Sequence, residues 1–402
     1  MAKKSRQTNQ KKKPSNSKRS NKRSASSKSP QSKSVNFIKT SYRKLLNWIS
    51  QTWTRKITAV LLALLFIATL LMYVVAQWYI ISNQDRPYQL GATFIQSYAE
   101  FYDLDPQETL TAITDDLGFD HLRLVSYWNV HEEEQGEYDF SDLDWQFQHA
   151  EERDVSVSLA IGLRQPRWPE CHMPAWAEPM EMKEWYPHLK DYMQAVIERY
   201  KDSPVLVSYQ LENEFLLDVF GVCPDHSRER LIDSFEFVKE LDPTRPVIVS
   251  RSNNATPSWP VGEPRADIIG ASIYKRVWDG TLTNRYFEYP LPPWFYAFLA
   301  GGAKLTTNRD TVIHELQAES WLPRGMDMRT ASTEELYKSM NPEMLANRFE
   351  YGRATGIREI DLWGVEWWYS RKVNDGDDSL WEVAREQIRY TNELNRRITV
   401  DN

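Results

Sequence analysis

The chain has 402 residues, with 49 Lys and Arg against 56 Asp and Glu and a formal net charge of −7. Residues 1–56 hold 17 of the basic residues and no acidic one, so the remainder combines 32 basic with all 56 acidic side chains. This division excludes a single uniform globular unit and argues against a nucleic-acid-binding main domain. Two cysteines are too few for a disulfide-rich scaffold.

The N-terminal segment 1–36 consists almost entirely of Lys, Arg, Ser, Gln, Asn and Pro. So little apolar surface cannot offset the chain entropy lost on folding, which predicts a disordered tail over 1–56. Its charge suits a topology signal with attraction to anionic lipid. Nucleic acid is a disfavoured partner, because no aromatic residue lies among the charges of 1–36.

The next segment is apolar and long enough to cross a bilayer. Ile57–Ala76 contains 20 residues without a charge, and Trp53, Trp78 and Tyr79 lie near its ends, where interfacial aromatics belong. A cleaved secretory signal is the alternative, but its apolar run would be shorter and nearer the N-terminus. The sequence therefore predicts a single-pass helix at 57–79 and a linker at 80–88. The excess of positive charge before the helix predicts a cytoplasmic N-terminus and an extracytoplasmic C-terminal domain.

From residue 89 to 396, short apolar runs alternate with amphipathic helices. The predicted strands lie in 90–95, 121–128, 155–162, 205–213, 246–253, 267–274, 311–315 and 359–367. Eight such units predict an α/β fold, a (β/α)₈ TIM barrel. A doubly wound open sheet is the alternative, although no glycine-rich phosphate turn follows the first strand. The longest connection, 275–310, is predicted to contain a helix at Pro293–Ala300, packed on the barrel or touching the bilayer.

In such a barrel the active residues lie at the C-terminal ends of strands. Strand four ends in Asn213-Glu214, strand seven in His314-Glu315, and strand eight in a segment rich in tryptophan. Two carboxylates ringed by tryptophans suit cleavage of a glycosidic bond. The two strand-end glutamates resemble those of the clan A retaining glycoside hydrolases. The segments 122–140 and 315–321 resemble their β-galactosidase-type members.

The resemblance implies a role for each matching residue. Glu214 would be the acid/base, and Asn213 would bind the sugar 2-hydroxyl. Glu315 would be the nucleophile, with Tyr274 placing it and Arg123 favouring its ionised form. The predicted sugar contacts are completed by Trp128, Asn129, Gln317, Trp321, Trp363, Glu366 and Trp367.

Three glutamates have competing interpretations. Glu319 is the rival nucleophile, because alternation places it on the same side as Glu315, and only position favours Glu315. Glu212 is interpreted as a solvated residue or a support for the site. Glu366 is either a sugar ligand or a structural ion-pair partner.

The two cysteines follow strands three and four. An exported domain favours a disulfide between Cys171 and Cys223, whereas zinc held with His172 and His226 is the alternative. The sequence thus predicts a membrane-anchored, extracytoplasmic retaining glycoside hydrolase that acts on oligo- or polysaccharides without a metal or cofactor. The alternative is an inactive carbohydrate-binding or scaffold protein on the same barrel.

Overall fold

The structure is a computed structural model, and it describes residues 39–44, 47–48, 50–215, 223–224, 227–252 and 264–401. Most of the predicted disordered tail, and His226, lie outside these residues. The chain divides into two compact units, Met1–Ala68 and Thr69–Asn402. The second unit contains all eight predicted strands.

Eight parallel strands close into a barrel, in which each strand pairs with the next along the chain and the eighth pairs with the first. Their residues are mostly buried, as expected for parallel strands covered by helices. The barrel strands are Gln89–Thr93, His121–Val125, Ser156–Ile161, Leu206–Leu211, Val247–Ser252, Ile268–Ile273, Asp310–Gln317 and Glu359–Trp363. The predicted TIM barrel is confirmed, and the open doubly wound sheet is wrong.

Helices follow the strands on the outside of the barrel. Asp105 is the N-cap of helix Pro106–Thr111, because its carboxylate accepts a hydrogen bond from the backbone N–H of Glu108 at 2.9 Å. The main helices are Gln96–Phe101, Pro106–Thr111, Ser141–Arg153, Met182–Tyr200, Arg228–Leu241, Pro293–Thr307, Pro342–Ala354, Val365–Val373 and Ser379–Asp401. A π-helical turn spans Ala112–Asp116, and single turns lie at Trp128–His131 and Thr333–Leu336. Between strands five and six, the described residues contain no helix.

The long connection after strand six contains two elements. An antiparallel hairpin pairs Arg276–Asp279 with Arg285–Glu288, and the predicted helix follows as Pro293–Thr307. Tyr296, Ala297 and Ala300 of this helix are buried. The helix therefore packs on the barrel, as one of the two interpretations expected.

The apolar helix spans Trp53–Ser82 and is long and apolar enough to cross a membrane. Its C-terminal part, within the second unit, packs on the barrel. Ala76 and Tyr79 are buried, and an added Cβ on Gly301 would lie 2.9 Å from the Tyr79 Cβ. Tyr73 meets the edge of the Trp294 ring at a centroid distance of 5.9 Å. Only residues 83–88 connect the end of this helix to the first strand.

Candidate active site

The chain turns sharply where strand four ends. Glu212 and Glu214 adopt positive φ angles of 58° and 41°, which break the extended strand and redirect its side chains. Asn213 and Glu214 are both buried at this turn. The backbone N–H of Glu214 donates to the Ser250 hydroxyl at 2.7 Å, which ties the turn to strand five. The predicted acid/base is therefore held by backbone geometry rather than placed on a free loop.

Glu315 lies in strand seven, two residues before the strand ends at Gln317. Its Oε1 accepts a hydrogen bond from Arg123 Nη1 at 2.9 Å, and its Oε2 accepts one from the Tyr274 hydroxyl at 2.9 Å. Both carboxylate oxygens are thus oriented, one by a donor from strand two and the other by the residue that directly follows strand six. The resemblance implied these two contacts, and the role of Glu315 as a nucleophile stays a prediction.

Arg123 links three barrel strands through its buried guanidinium. Besides Glu315, it donates from Nε to Gln210 Oε1 at 2.6 Å and from Nη2 to Asn213 Oδ1 at 2.8 Å. Asn213 in turn donates from Nδ2 to Glu170 Oε1 at 3.0 Å. An amide nitrogen carries two hydrogens, so one remains for the predicted bond to a sugar hydroxyl.

Glu170 is a buried carboxyl of this site that the sequence analysis missed. Burial raises its pKa to about 9, with the nearby Glu214 carboxyl as the second cause. Arg164 opposes this shift, because its Nη2 lies 2.7 Å from Glu170 Oε2. Both residues belong to the segment Arg164–Glu170 directly after strand three, and charged residues at that strand end were the available signal.

Arg167, from the same segment, was also missed. Its guanidinium lies 3.3 Å from the Tyr98 ring centroid and 4.3 Å from that of Trp363, and it pairs with Glu319 at 2.7 Å. Glu319 also accepts from the Trp363 indole N–H at 2.9 Å. The rival carboxylate therefore serves an ion pair at the barrel rim, whereas Glu315 faces Arg123.

Glu212 holds the backbone of the segment that follows strand three. It is fully buried and pairs with Arg230 at 2.7 Å. Its carboxylate also accepts from the backbone N–H groups of Leu163 at 3.1 Å and Arg164 at 2.7 Å. The solvated interpretation of Glu212 is wrong, and the supporting one agrees with these contacts.

Strand eight ends earlier than the sequence predicted. Gly364 has a φ of 101° and ends the strand after Trp363, and helix Val365–Val373 begins there. Glu366 lies in this helix and accepts a hydrogen bond from the backbone N–H of Ile95 at 2.7 Å. Burial raises its pKa to about 7. Among the described residues it forms no ion pair, so the ion-pair interpretation is wrong.

The tryptophans predicted to stack on sugar divide into two groups. Trp128 and Trp367 are almost completely buried, so neither ring offers a face to a ligand, and their predicted role is wrong. Trp363 is also buried, with 6% of its surface exposed, whereas Trp321 is half-buried. The Trp321 ring meets Tyr274 edge-on at 5.4 Å, next to the predicted nucleophile.

Gln317 and Asn129, two polar residues of the predicted sugar site, differ in burial. The Gln317 side chain accepts from the backbone N–H groups of Lys275 at 2.8 Å and Arg276 at 2.9 Å, so it holds the start of the hairpin. It is completely buried. Its amide nitrogen donates to the carbonyls of Arg276 at 2.6 Å and Glu319 at 3.5 Å, so no hydrogen-bonding position of the side chain remains for a direct sugar contact. Asn129 is exposed, and its backbone N–H donates to the His172 carbonyl at 3.1 Å.

Cys171 and Cys223 form a disulfide with a Cα–Cα distance of 5.4 Å. The predicted pairing is confirmed, and the zinc alternative is wrong because both thiols are used in the bond. The disulfide joins the segment after strand three to the one after strand four. It therefore constrains the two segments that carry Glu170 and Glu214.

Comparison with solved structures gives many similar chains. GH5_18 from Streptomyces cattleya, in complex with GlcNAc, matches at a TM-score of 0.53 and 14% identity, over 76% of this chain and 81% of that one. The cold-adapted β-galactosidase from Rahnella sp. R3 matches at a TM-score of 0.52 and 14% identity, over 77% of this chain and 56% of that one. Xylanase 10B from Thermotoga maritima matches at a TM-score of 0.50 and 17% identity, over 76% of this chain and 97% of that one.

The chain has the barrel fold of these glycoside hydrolases. No family model matches its sequence, and no curated protein matches it either. At such low identity the likeness establishes the fold alone.

Proposed function

We propose that this chain is a glycoside hydrolase that cleaves O-glycosidic bonds with retention of configuration. The observation that carries the proposal is the position of Glu315, held by Arg123 and Tyr274 at the C-terminal end of strand seven. Glu214 follows strand four, on the same face of the barrel, which is where barrel enzymes place their reacting groups. The fold shared with glycoside hydrolases supports the same reaction.

The reaction would proceed in two displacements. Glu315 attacks the anomeric carbon while Glu214 gives its proton to the departing glycosidic oxygen, and a glycosyl-enzyme ester forms on Glu315. Glu214 then takes a proton from water, which attacks the anomeric carbon and releases the sugar and the Glu315 carboxylate. Tyr274 donates a hydrogen bond to Glu315 Oε2 and so fixes the orientation of the attacking carboxylate.

Glutamine variants test the two carboxylates. Glu315→Gln removes the attacking oxygen and should abolish hydrolysis of aryl glycosides and polysaccharides. Glu214→Gln should reduce turnover about 10²–10⁴-fold on substrates with poor leaving groups, and less on activated aryl glycosides that need no proton. Glu386→Gln, an exposed carboxylate on the last helix, is the matched control and should keep full activity.

Product stereochemistry tests the mechanism itself. Proton NMR of the first product formed by the full chain in detergent should show the anomer of the substrate. Inverted product would contradict a nucleophilic Glu315. Saturable oligosaccharide binding without hydrolysis of any glycoside would instead support the inactive carbohydrate-binding alternative.

We also propose that the apolar helix anchors the enzyme in the membrane with its N-terminus in the cytoplasm. The supporting observations are the 30-residue apolar helix and the concentration of positive charge before it. Under this proposal the chain should stay in the membrane fraction after an alkaline carbonate wash. Protease added outside intact cells should degrade the barrel and spare the tail.

A further inference from the structure

A cavity lies beside the segment that follows strand six. It has a volume of about 610 Å³ and lies between the start of the hairpin, the segment before helix Pro293–Thr307 and the first half of helix Pro342–Ala354. Its wall includes the cationic side chains Lys275, Arg276 and Arg348. None of these residues has a role in the proposed hydrolysis.

Arg348 is the unusual member of this wall. Its side chain is 5% exposed, yet within the described residues its guanidinium forms no hydrogen bond and no ion pair, and its buried Nε is without an acceptor. Burial lowers its pKa to about 10. Glu288 is the main opposite charge that acts on this guanidinium, but it is not within ion-pair distance. A buried charge without a direct partner is destabilising, so its retention inside a cavity indicates a ligand that completes it.

The rest of the wall favours an anion. Glu288 is already close to Arg276, at 3.6 Å. Glu343 is exposed in the first turn of helix Pro342–Ala354. Lys275 donates from Nζ to the carbonyls of Tyr289 and Leu291, and its ammonium retains one further hydrogen. The three cations therefore outnumber the two acids, and only one acid is paired.

We propose that this cavity binds a phosphate ester, with Arg348 as its central ligand. The planar guanidinium can donate two parallel hydrogen bonds to phosphate oxygens, and the neighbouring cations match a doubly charged group. The volume accommodates an organic group attached to the phosphate as well as the phosphate itself.

The position of the cavity suggests two sources for this phosphate. Lys275 directly follows Tyr274, and its backbone N–H is held by Gln317 of the catalytic strand, so a phosphorylated saccharide could reach both sites. Pro293 of the cavity wall precedes Trp294, which contacts Tyr73 of the apolar helix. A phospholipid headgroup could approach from that side.

Thermal unfolding of the full chain, in nanodiscs of zwitterionic lipid, tests the proposal without any hydrolysis assay. Glycerol 3-phosphate, compared with chloride at equal ionic strength, should raise Tm saturably by about 2–4 °C at roughly ten times Kd. Arg348→Met should abolish this response. Because it removes an unpaired buried charge, the variant should unfold at the same Tm as the unliganded parent or higher, whereas loss of a purely structural arginine would lower Tm.

Two further variants serve as a control and as a second test of the site. Arg353→Met removes an arginine of the same helix that bonds to Thr391 and Gln387 and does not line the cavity, so its response to the phosphate should be unchanged. Arg276→Met changes a partly exposed wall residue and should weaken the response, which gives a second measurement if Arg348→Met fails to fold.

The outcomes separate the sources. A Tm rise with glycerol 3-phosphate that depends on Arg348 supports a soluble phosphate ester, and the same dependence seen only in phosphatidic acid nanodiscs supports a lipid headgroup. A rise with glucuronate but not with phosphate would overturn the phosphate assignment. Equal responses of the parent and Arg348→Met to every probe would overturn the site.

Discussion

Arg123 orients the predicted nucleophile through a guanidinium that donates to four side chains, those of Thr93, Gln210, Asn213 and Glu315. A lysine at this position keeps the positive charge, but its three donors are on a single nitrogen and cannot reproduce the planar spread of the guanidinium that reaches Glu315, Asn213 and Gln210 together. We expect Arg123→Lys to reduce kcat about 10²-fold, because small misplacements of a reacting group have costs of that size. Steady-state kinetics on an aryl glycoside would measure this, with exposed Arg329→Lys as the control. A change in KM alone would contradict the orienting role.

Glu366 predicts a pH dependence of stability. Its pKa is raised from 4.5 to about 7 in the folded state, so the folded protein binds a proton more tightly than the unfolded chain between these values. The parent should therefore lose unfolding free energy as the pH rises from about 4.5 to 7, by up to about 3 kcal/mol from this group. Glu366→Gln should lack this part of the decline.

Urea titrations of the parent and Glu366→Gln at several pH values would measure the difference between them. Both proteins share every other titrating group, so a difference that stays constant between pH 4.5 and 7 would refute the assignment. A difference that grows only above pH 7 would do the same.

At the scale of elements, the segments after strands three and four form one support for the site. Their disulfide closes a loop with a sequence separation of 52 residues. Cys171→Ser with Cys223→Ser should lower the unfolding free energy by about 2–4 kcal/mol, because the unfolded chain regains loop entropy. Chemical denaturation with and without reductant measures this. Reductant should destabilise the parent and leave the double variant unchanged.

Much of this framework could be predicted from the sequence, because buried parallel strands are short β-branched runs and alternate visibly with helices. The sequence places the end of strand eight too late, because apolar residues continue on both sides of Gly364 and only the φ of Gly364 shows where the chain turns. The pairing of Arg167 with Glu319 and of Arg164 with Glu170 depends on loop conformation, which residue spacing does not encode. Residue type likewise could not show that Trp128 is buried while Trp321 is half-buried.

At the scale of the whole molecule, the C-terminal end of the apolar helix packs against the barrel domain and covers part of its apolar surface. A chain starting at residue 69 keeps Ala76 and Tyr79, whereas one starting at 83 exposes the apolar surface that they cover. We expect the shorter chain to unfold about 5 °C lower and to bind a hydrophobic dye, since burying a large apolar side chain is worth about 1.5–3 kcal/mol. Differential scanning fluorimetry of both fragments would show this. Equal Tm values would mean that the packing contributes nothing.

Under the proposed membrane anchoring, the short connection between this helix and the first strand limits where the proposed hydrolase can act. Residues 83–88 would span at most about 20 Å if fully extended, and the packing of Tyr79 on the barrel prevents even that extension. A catalytic domain held to an anchor in this way has no stalk with which to search the surrounding space. Its substrates would be glycans that are themselves confined to the membrane surface, or polymers whose ends reach it, and its rate would follow their density in that layer rather than their bulk concentration.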